Sequence, residues 1–127
     1  MLKTHDPASV GAPNPAYSYG IEVAPSARWL HISGQVGMTE GKIGTGIEEQ
    51  SEMVWTKLIA VLASANMTVK DLVKVTAYLT RAQDIAAYRA VRDKYLAGNR
   101  PASTLVVVTA LANPGFVVEV EAVAAKG

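Results

Sequence analysis

The segment Phe116–Ala124 reads FVVEVEAVA, and it decides which kind of sheet this chain can form. Side chains of an extended strand alternate between its two faces. One face of this strand is wholly apolar and consists of Phe116, Val118, Val120 and Ala122. The other face mixes two apolar residues with two carboxylates and consists of Val117, Glu119, Glu121 and Val123. The strand therefore has apolar side chains to cover on both faces.

The preceding apolar segment, Ser103–Leu111, has the same two-sided pattern. Helices can cover only one face of such a sheet, and an exposed second face would leave a contiguous apolar patch. We therefore predict a homo-oligomer in which sheet faces pack together. Glu119 and Glu121 would lie at or near that interface, where a carboxylate needs hydrogen-bond donors or a proton.

Upstream, the sequence predicts a hairpin of strands Tyr17–Val23 and Trp29–Ser33, preceded by a proline-rich irregular arm over 6–16. The glycine-rich stretch 33–46 predicts a loop, alone or with a small second hairpin. A first helix follows, with a capping box of Thr45 and Glu48 at its start and Asn66 as its C-cap.

The remaining elements are a strand over Leu72–Leu79 and a second helix over Ala82–Leu96 that Gly98 ends. Val73, Val75, Ala77 and Leu79 would share one face of the strand. The element order β-β-α-β-α-β-β predicts a two-layer α+β sandwich with helices on one face of a mixed sheet. A length of 127 residues is typical of one domain, so we expect residues 1–127 to form a single domain.

Composition excludes several function classes. The chain has no cysteine, so thiolate metal sites and cysteine nucleophiles are excluded. Its net charge is +1 and it has no basic block, so nothing in the composition indicates nucleic-acid binding. His5 and His31 are 26 residues apart and make no metal signature. With no apolar signal segment or membrane span, we expect a soluble, cytoplasmic protein.

Four segments together resemble the RidA family, also called YjgF or L-PSP proteins. They are Tyr17-Ser18 after the arm, SGQVG at 33–37, RPASTLVVV at 100–108 and VEVEAVA at 118–124. The resemblance implies a chorismate-mutase-like α+β fold and a homotrimer with a ligand cleft at each subunit interface. It also implies hydrolytic deamination of enamines or imines such as 2-iminoalkanoates, without a cofactor or metal.

The resemblance also assigns residues to the cleft. Tyr17 is similar to the family's tyrosine near the cleft mouth, and Ser33 and Gly34 are similar to a serine-glycine pair whose loop lines it. Glu119 is similar to the glutamate thought to orient or activate water. The plainer alternatives are that Glu119 is structural, that Tyr17 anchors the arm, and that Glu121 is structural.

One position departs from the family pattern. Deaminating members read Pro-Ala-Arg followed by Ser or Thr, whereas this chain has Ser103 at the arginine position and Thr104 after it. Arginine grips a carboxylate with two charge-assisted hydrogen bonds, and serine offers one neutral hydroxyl. Arg100 is a poor substitute because its odd offset points it to the other face. We hypothesise that Arg92, at the position of a family asparagine, projects towards the cleft; a solvated helix residue is the alternative.

Three functions remain open at this stage. The first is a cofactor-independent deaminase of a small imine, enamine or related metabolite, with little activity on 2-iminoalkanoates because of Ser103. The second is a non-catalytic trimer that binds or senses a metabolite. The third and weakest is an endoribonuclease, because no His-His or His-Lys pair suits phosphodiester cleavage.

Overall fold

The computed structural model describes residues 2–127, which form eight strands and two α-helices. The strands are β1 (Leu2–His5), β2 (Gly20–Val23), β3 (Arg28–Val36), β4 (Met38–Thr39), β5 (Lys42–Ile43), β6 (Leu72–Leu79), β7 (Ala102–Val107) and β8 (Val118–Lys126). The helices are α1 (Gly46–Ser64) and α2 (Ile85–Leu96), and short 3₁₀ turns span Val69–Asp71 and Ala82–Asp84.

The main sheet has four strands in the order β3-β8-β6-β7. Strand β8 pairs antiparallel with both β3 and β6, while β6 and β7 run parallel with α2 as their crossover. Both helices lie on one face of this mixed sheet, so the predicted two-layer α+β sandwich is confirmed.

The core lies between the helices and the sheet. Alternate residues of β6 and β8 face it, and Val75, Leu79, Val118 and Val120 are almost completely buried. The helices contribute large side chains to the same layer, namely Trp55, Leu58, Leu62, Tyr88 and Leu96. Burial of each such side chain stabilises the fold by about 1.5–3 kcal/mol.

The predicted hairpin between the first two strands is wrong. Strand β2 pairs with β1, with Leu2 opposite Val23, and not with β3. Strand β3 pairs instead with the nine-residue β8. The ladder of β3 and β8 is longer than the one β2 could offer, and Leu2–His5 provides β2 with an extended partner.

The glycine-rich stretch does contain the small hairpin, formed by β4 and β5. Its turn residues Glu40 and Gly41 both have positive φ, as a tight hairpin turn requires.

The capping box predicted at Thr45 is also wrong. Thr45 is the N-cap, but its side chain makes no capping bond, and its backbone N–H donates to Glu49 and not to Glu48. At the other end Ala65 is the C-cap and Asn66 follows in the left-handed region at φ 58°. The structure does contain a capping box, but at Thr68 and Asp71.

A β-bulge changes the faces of β6. Leu72 pairs with Ala124 and Lys74 with Val123, so one extra residue, Val73, lies between them. As a result Leu72 is buried in the core and Val73 is not, which corrects the predicted alternation.

The last two strands are shifted relative to prediction. Strand β7 ends at Val107 instead of Leu111, and β8 begins at Val118 instead of Phe116. The intervening loop folds back through Asn113 and Gly115 and is held by the side chain of Gln50.

Helix α2 is preceded by the 3₁₀ turn, and left-handed Ala97 with Gly98 ends it. No helix within residues 2–127 is long and apolar enough to cross a membrane.

Candidate functional site

The sheet face opposite the helices, called the open face, is more polar than the sequence predicted. Strand register places side chains from four strands there: Trp29, His31, Lys74, Thr76, Tyr78, Thr104, Val106, Glu119, Glu121 and Val123. Apolar surface remains exposed on it, with Trp29 52% and Val106 40% accessible.

A second β-bulge brings Gly34 against Glu119. Ile32 pairs with Ala122 and Gln35 with Val120, so Ser33 and Gly34 together face the single residue Glu121. A Cβ added at Gly34 would overlap the Glu119 carboxylate. Glycine is therefore required here for close approach of the strand backbone to this carboxylate, while Ser33 stays exposed beside it.

The two carboxylates of β8 differ in their hydrogen bonds. Glu121 accepts a hydrogen bond from the Tyr78 hydroxyl. This bond, together with partial desolvation and the two nearby carboxylates, raises the pKa of Tyr78. The Glu119 side chain makes no hydrogen bond to another residue within 2–127. Glu121 thus has an internal partner, which agrees with its structural interpretation, and Glu119 is available to a group from outside the chain.

A shallow depression of about 300 Å³ lies directly over these carboxylates. Its walls combine the polar strand residues with apolar residues of the loop after β7: Tyr78, Val108, Ala110, Leu111, Glu119 and Glu121. It can hold a small molecule next to Glu119.

Arg100 is committed to holding the N-terminal arm. Its guanidinium donates to the carbonyl of Asn14 at 2.7 Å, to the carbonyl of Tyr17 at 3.0 Å and to Asp6 at 3.1 Å. The pKa of Asp6 is lowered by the backbone N–H of Tyr19 and by Arg100. The Ser18 hydroxyl of the arm adds a further contact by donating to the Arg100 carbonyl at 2.5 Å.

Ser103 and Thr104 point to opposite faces of β7. Ser103 is in register with core residue Val75, so its side chain lies on the helix side of the sheet. Thr104 is in register with Thr76 on the open face and accepts a hydrogen bond from Lys74 Nζ at 2.7 Å. Glu119 and Ser103 of one chain are therefore separated by the sheet itself.

Tyr17 and Arg92 do not lie on the open face: Tyr17 precedes Ser18, which bridges to Ala102 of β7, and Arg92 is on α2, on the helix side of the sheet. Tyr17 is fixed through its carbonyl by Arg100, and its ring packs edge-to-face on Tyr19 at 6.0 Å. Arg92 is only 6% exposed, so the alternative of a solvated helix residue is wrong. Its turn of α2 lies beside the arm, where Pro15, Ala16 and Asp93 share a depression of about 220 Å³.

The predicted site residues thus form two groups. The open-face group consists of Ser33, Gly34, Thr104 and Glu119, and the edge group consists of Tyr17, Arg92 and Ser103. Ser18 bridges to Ala102, which places the arm along the outer edge of β7 next to the edge group. A single chain does not bring the two groups into one cavity.

Two residues near the site were missed by sequence analysis. Tyr78 was not identified from the sequence, because its pairing with Glu121 depends on strand register. Gln50 is fully buried and donates to the carbonyls of Gly44 and Gly115 while accepting from Val117 N–H at 2.9 Å. It fixes the segment that enters β8, yet a glutamine near the start of a helix is typical of a surface position.

Among residues 2–127, no group of three or more His, Asp or Glu side chains is arranged to hold a metal ion. The chemistry available at the site is that of carboxylates, hydroxyls and a buried arginine.

Comparison with known proteins identifies the family. The family model described as Endoribonuclease L-PSP matches residues 9–126. The chain belongs to the L-PSP, or RidA, family. The resemblance inferred from the four sequence segments is therefore confirmed.

Relatives of this L-PSP family chain include enzymes and solved structures. A 2-iminobutanoate/2-iminopropanoate deaminase of Rattus norvegicus is 30% identical over 124 residues, covering 95% of this chain and 85% of that protein. A conserved Rid family protein of Yersinia pestis, YyfB, has a TM-score of 0.84 at 29% identity, with 97% of each chain covered. RidA from a Psychrobacter species has a TM-score of 0.72 at 31% identity, covering 94% of this chain and 92% of that one.

Proposed function

We propose that this protein is a cofactor-independent hydrolytic deaminase of a small imine or enamine, acting as a single-domain cytoplasmic homotrimer. The observation that carries the proposal is the Glu119 carboxylate. It has no hydrogen-bond partner within residues 2–127, is fixed against Gly34, and borders a depression large enough for a small metabolite. Membership of a family that includes imine deaminases supports the reaction class.

The division of the site supports an assembly of several copies. The edge group and the open-face group lie on opposite sides of one sheet, so a complete cleft needs the edge of one copy against the open face of another. The exposed Trp29 and Val106 provide apolar surface for such packing. Sedimentation equilibrium should give a trimer mass, and a monomer at micromolar concentration would contradict the assembly.

In the proposed reaction Glu119 acts as a general base. It accepts a proton from a water molecule as the water oxygen bonds to the imine carbon. The imine nitrogen takes this proton from Glu119, and the resulting amino group takes a second proton from the new hydroxyl as the C–N bond breaks and ammonia leaves. The carbon retains the oxygen as a carbonyl, so the imine and one water become a ketone and ammonia.

Ser103 is expected to limit activity on 2-iminoalkanoates. A hydrogen bond between charged groups contributes about 1.5–3 kcal/mol and a neutral one about half of that. Replacing a two-point arginine contact by one hydroxyl therefore weakens carboxylate binding by orders of magnitude. The favoured substrate either lacks that carboxylate or has it held by another cation.

Ser103 also supports a second candidate, a non-catalytic trimer that binds or senses a metabolite. Endoribonuclease activity has less support, because the open face carries two carboxylates that would repel phosphates and the net charge is only +1.

The test is the rate of 2-oxobutanoate formation from freshly generated 2-iminobutanoate, relative to the spontaneous rate. We expect slow wild-type turnover, a gain of at least about tenfold in Ser103→Arg, and loss of that gain when Glu119→Gln is added. Glu121→Gln is the matched control because it alters a carboxylate on the same strand face. Fast wild-type turnover would refute the role of Ser103, and no turnover in any variant would favour the binding protein.

A further inference from the structure

Arg92 is a buried guanidinium with more donors than acceptors. Its side chain is 7% exposed, and Nε donates to Asp93 Oδ1 at 2.9 Å. Nη2 lies 2.9 Å from the same oxygen. Nη1 makes no hydrogen bond to any group within residues 2–127. One carboxylate oxygen therefore serves a group that carries five N–H donors.

Burying a guanidinium with unpaired N–H donors costs free energy unless another group accepts hydrogen bonds from them. A buried charge is tolerated when it is paired and its remaining hydrogen-bonding groups are satisfied. Asp93 is itself 55% exposed, so water weakens its attraction for Arg92. The Tyr88 hydroxyl, one helical turn earlier on the same side of α2, is enclosed and also lacks a partner. Within residues 2–127 the Tyr88 hydroxyl makes no hydrogen bond to Arg92, so the acceptor that the chain supplies to this guanidinium is Asp93.

The free nitrogen of Arg92 remains accessible from outside. Within residues 2–127, the fully enclosed side-chain atoms without a partner belong to Ser51, Trp55 and Tyr88, and none of them belongs to Arg92. Nη1 therefore keeps contact with solvent although most of the side chain is covered. The neighbouring depression of about 220 Å³ between Pro15, Ala16 and Asp93 gives space next to this turn.

We propose that Arg92 binds the carboxylate of a small ligand through Nη1 and the outer N–H of Nη2. Asp93 holds the opposite side of the guanidinium, which fixes its plane and leaves a two-point fork facing outward. Planar forks of this kind match a carboxylate and discriminate against neutral ligands. The ligand class is therefore a small monocarboxylate such as a 2-oxo or 2-imino acid. The inference rests on the proposed function only for this choice of ligand class.

The experiment follows the side-chain Nε–H signals of ¹⁵N-labelled protein by NMR during titration with 2-oxobutanoate. The chain has five arginines, and the Arg92 signal is assigned by its absence from Arg92→Gln. We expect a saturable shift of that signal in wild type and binding at least about tenfold weaker in Arg92→Gln. Butan-2-one, which lacks the carboxylate, should produce no such shift.

Two further variants control for charge and folding. Arg89→Gln removes an exposed arginine of the same helix and should bind 2-oxobutanoate as wild type does. Arg92→Lys keeps the charge without the fork, so its affinity should fall between those of wild type and Arg92→Gln. If Arg92→Gln does not fold, the wild-type titration and Arg92→Lys still decide the outcome.

Several results would overturn the inference. They are equal affinity in Arg92→Gln and wild type, a shift with butan-2-one as large as with 2-oxobutanoate, or a shift only with inorganic phosphate. The inference would also be overturned if 2-oxobutanoate did not move the Arg92 signal because the guanidinium is already hydrogen-bonded to a neighbouring copy. Binding at Arg92 without deamination would instead reject the proposed function alone, because this readout does not depend on turnover.

Discussion

The two groups of site residues differ in how their polar atoms are satisfied. Around the edge group, Arg100 and Ser18 tie the arm to β7 through hydrogen bonds that are all internal. On the open face Glu119 has no hydrogen-bond partner within residues 2–127, and only the backbone at Gly34 fixes its position. Polar groups whose hydrogen bonds are all made within the chain indicate a structural role, whereas a carboxylate without such a partner is available to bind a ligand. Arg92 resembles Glu119 in this respect although it belongs to the edge group.

The largest expected effect comes from removing the arm's anchor. Arg100→Ala eliminates three hydrogen bonds from a partly buried guanidinium, so we expect unfolding free energy to fall by about 2–4 kcal/mol. Urea denaturation measures this loss. Arg28→Ala is the control, because that exposed arginine makes one long bond to the Ala65 carbonyl and its loss should cost less than about 0.5 kcal/mol. Equal losses in the two variants would contradict a structural role specific to Arg100.

An intermediate effect is expected at the open face. Gly34→Ala places a methyl group where the Glu119 carboxylate lies, and this overpacking should cost about 1–3 kcal/mol. Because the clash is with the flexible end of Glu119, Glu119→Ala should restore most of the stability. A double-mutant cycle by urea denaturation tests this coupling. Additive losses would show that Gly34 is needed for the backbone of the bulge and not for Glu119.

The smallest expected effect is a pH dependence of the arm. The pKa of Asp6 is lowered in the folded chain by the Tyr19 N–H and by Arg100. A lowered folded pKa contributes stability above the unfolded value near 3.8, and that contribution is lost as pH falls through the folded pKa. Asp6→Asn should therefore flatten the acid limb of a stability-against-pH curve. An acid limb as steep in Asp6→Asn as in wild type would contradict this contribution.

Much of the fold was predictable because it depends on local patterns. The alternation in Phe116–Ala124 and the apolar stripe of α1 specify a strand and a helix that need a common core. Two of the failed predictions depended on a choice of partner that local patterns do not specify. The hairpin of β2 and β3 was wrong because β8 is the better partner for β3. The capping box at Thr45 was wrong because Glu49, one residue further on, is the residue that binds the N-cap amide.

The sequence identified candidate residues for the site, but it did not predict how they are arranged in space. Motif spacing identified Gly34, Glu119 and Ser103, and the family they indicated is confirmed. Their distribution over two sheet faces depends on register, and two bulges shift it by one residue each. A one-residue shift in a strand moves a side chain to the opposite face, so spacing alone does not assign faces.

The sequence by itself determined the composition of the layers and the absence of cysteine chemistry, since these follow from residue type and local periodicity, and four motifs in it resembled the family. Only the tertiary structure decided which carboxylate is free, which arginine is structural and which is buried with unpaired donors. Hydrogen-bond partners such as Tyr78 for Glu121 and Asn14 for Arg100 are chosen by distances of a few ångströms. Such distances are set when strands and helices from distant parts of the chain pack together.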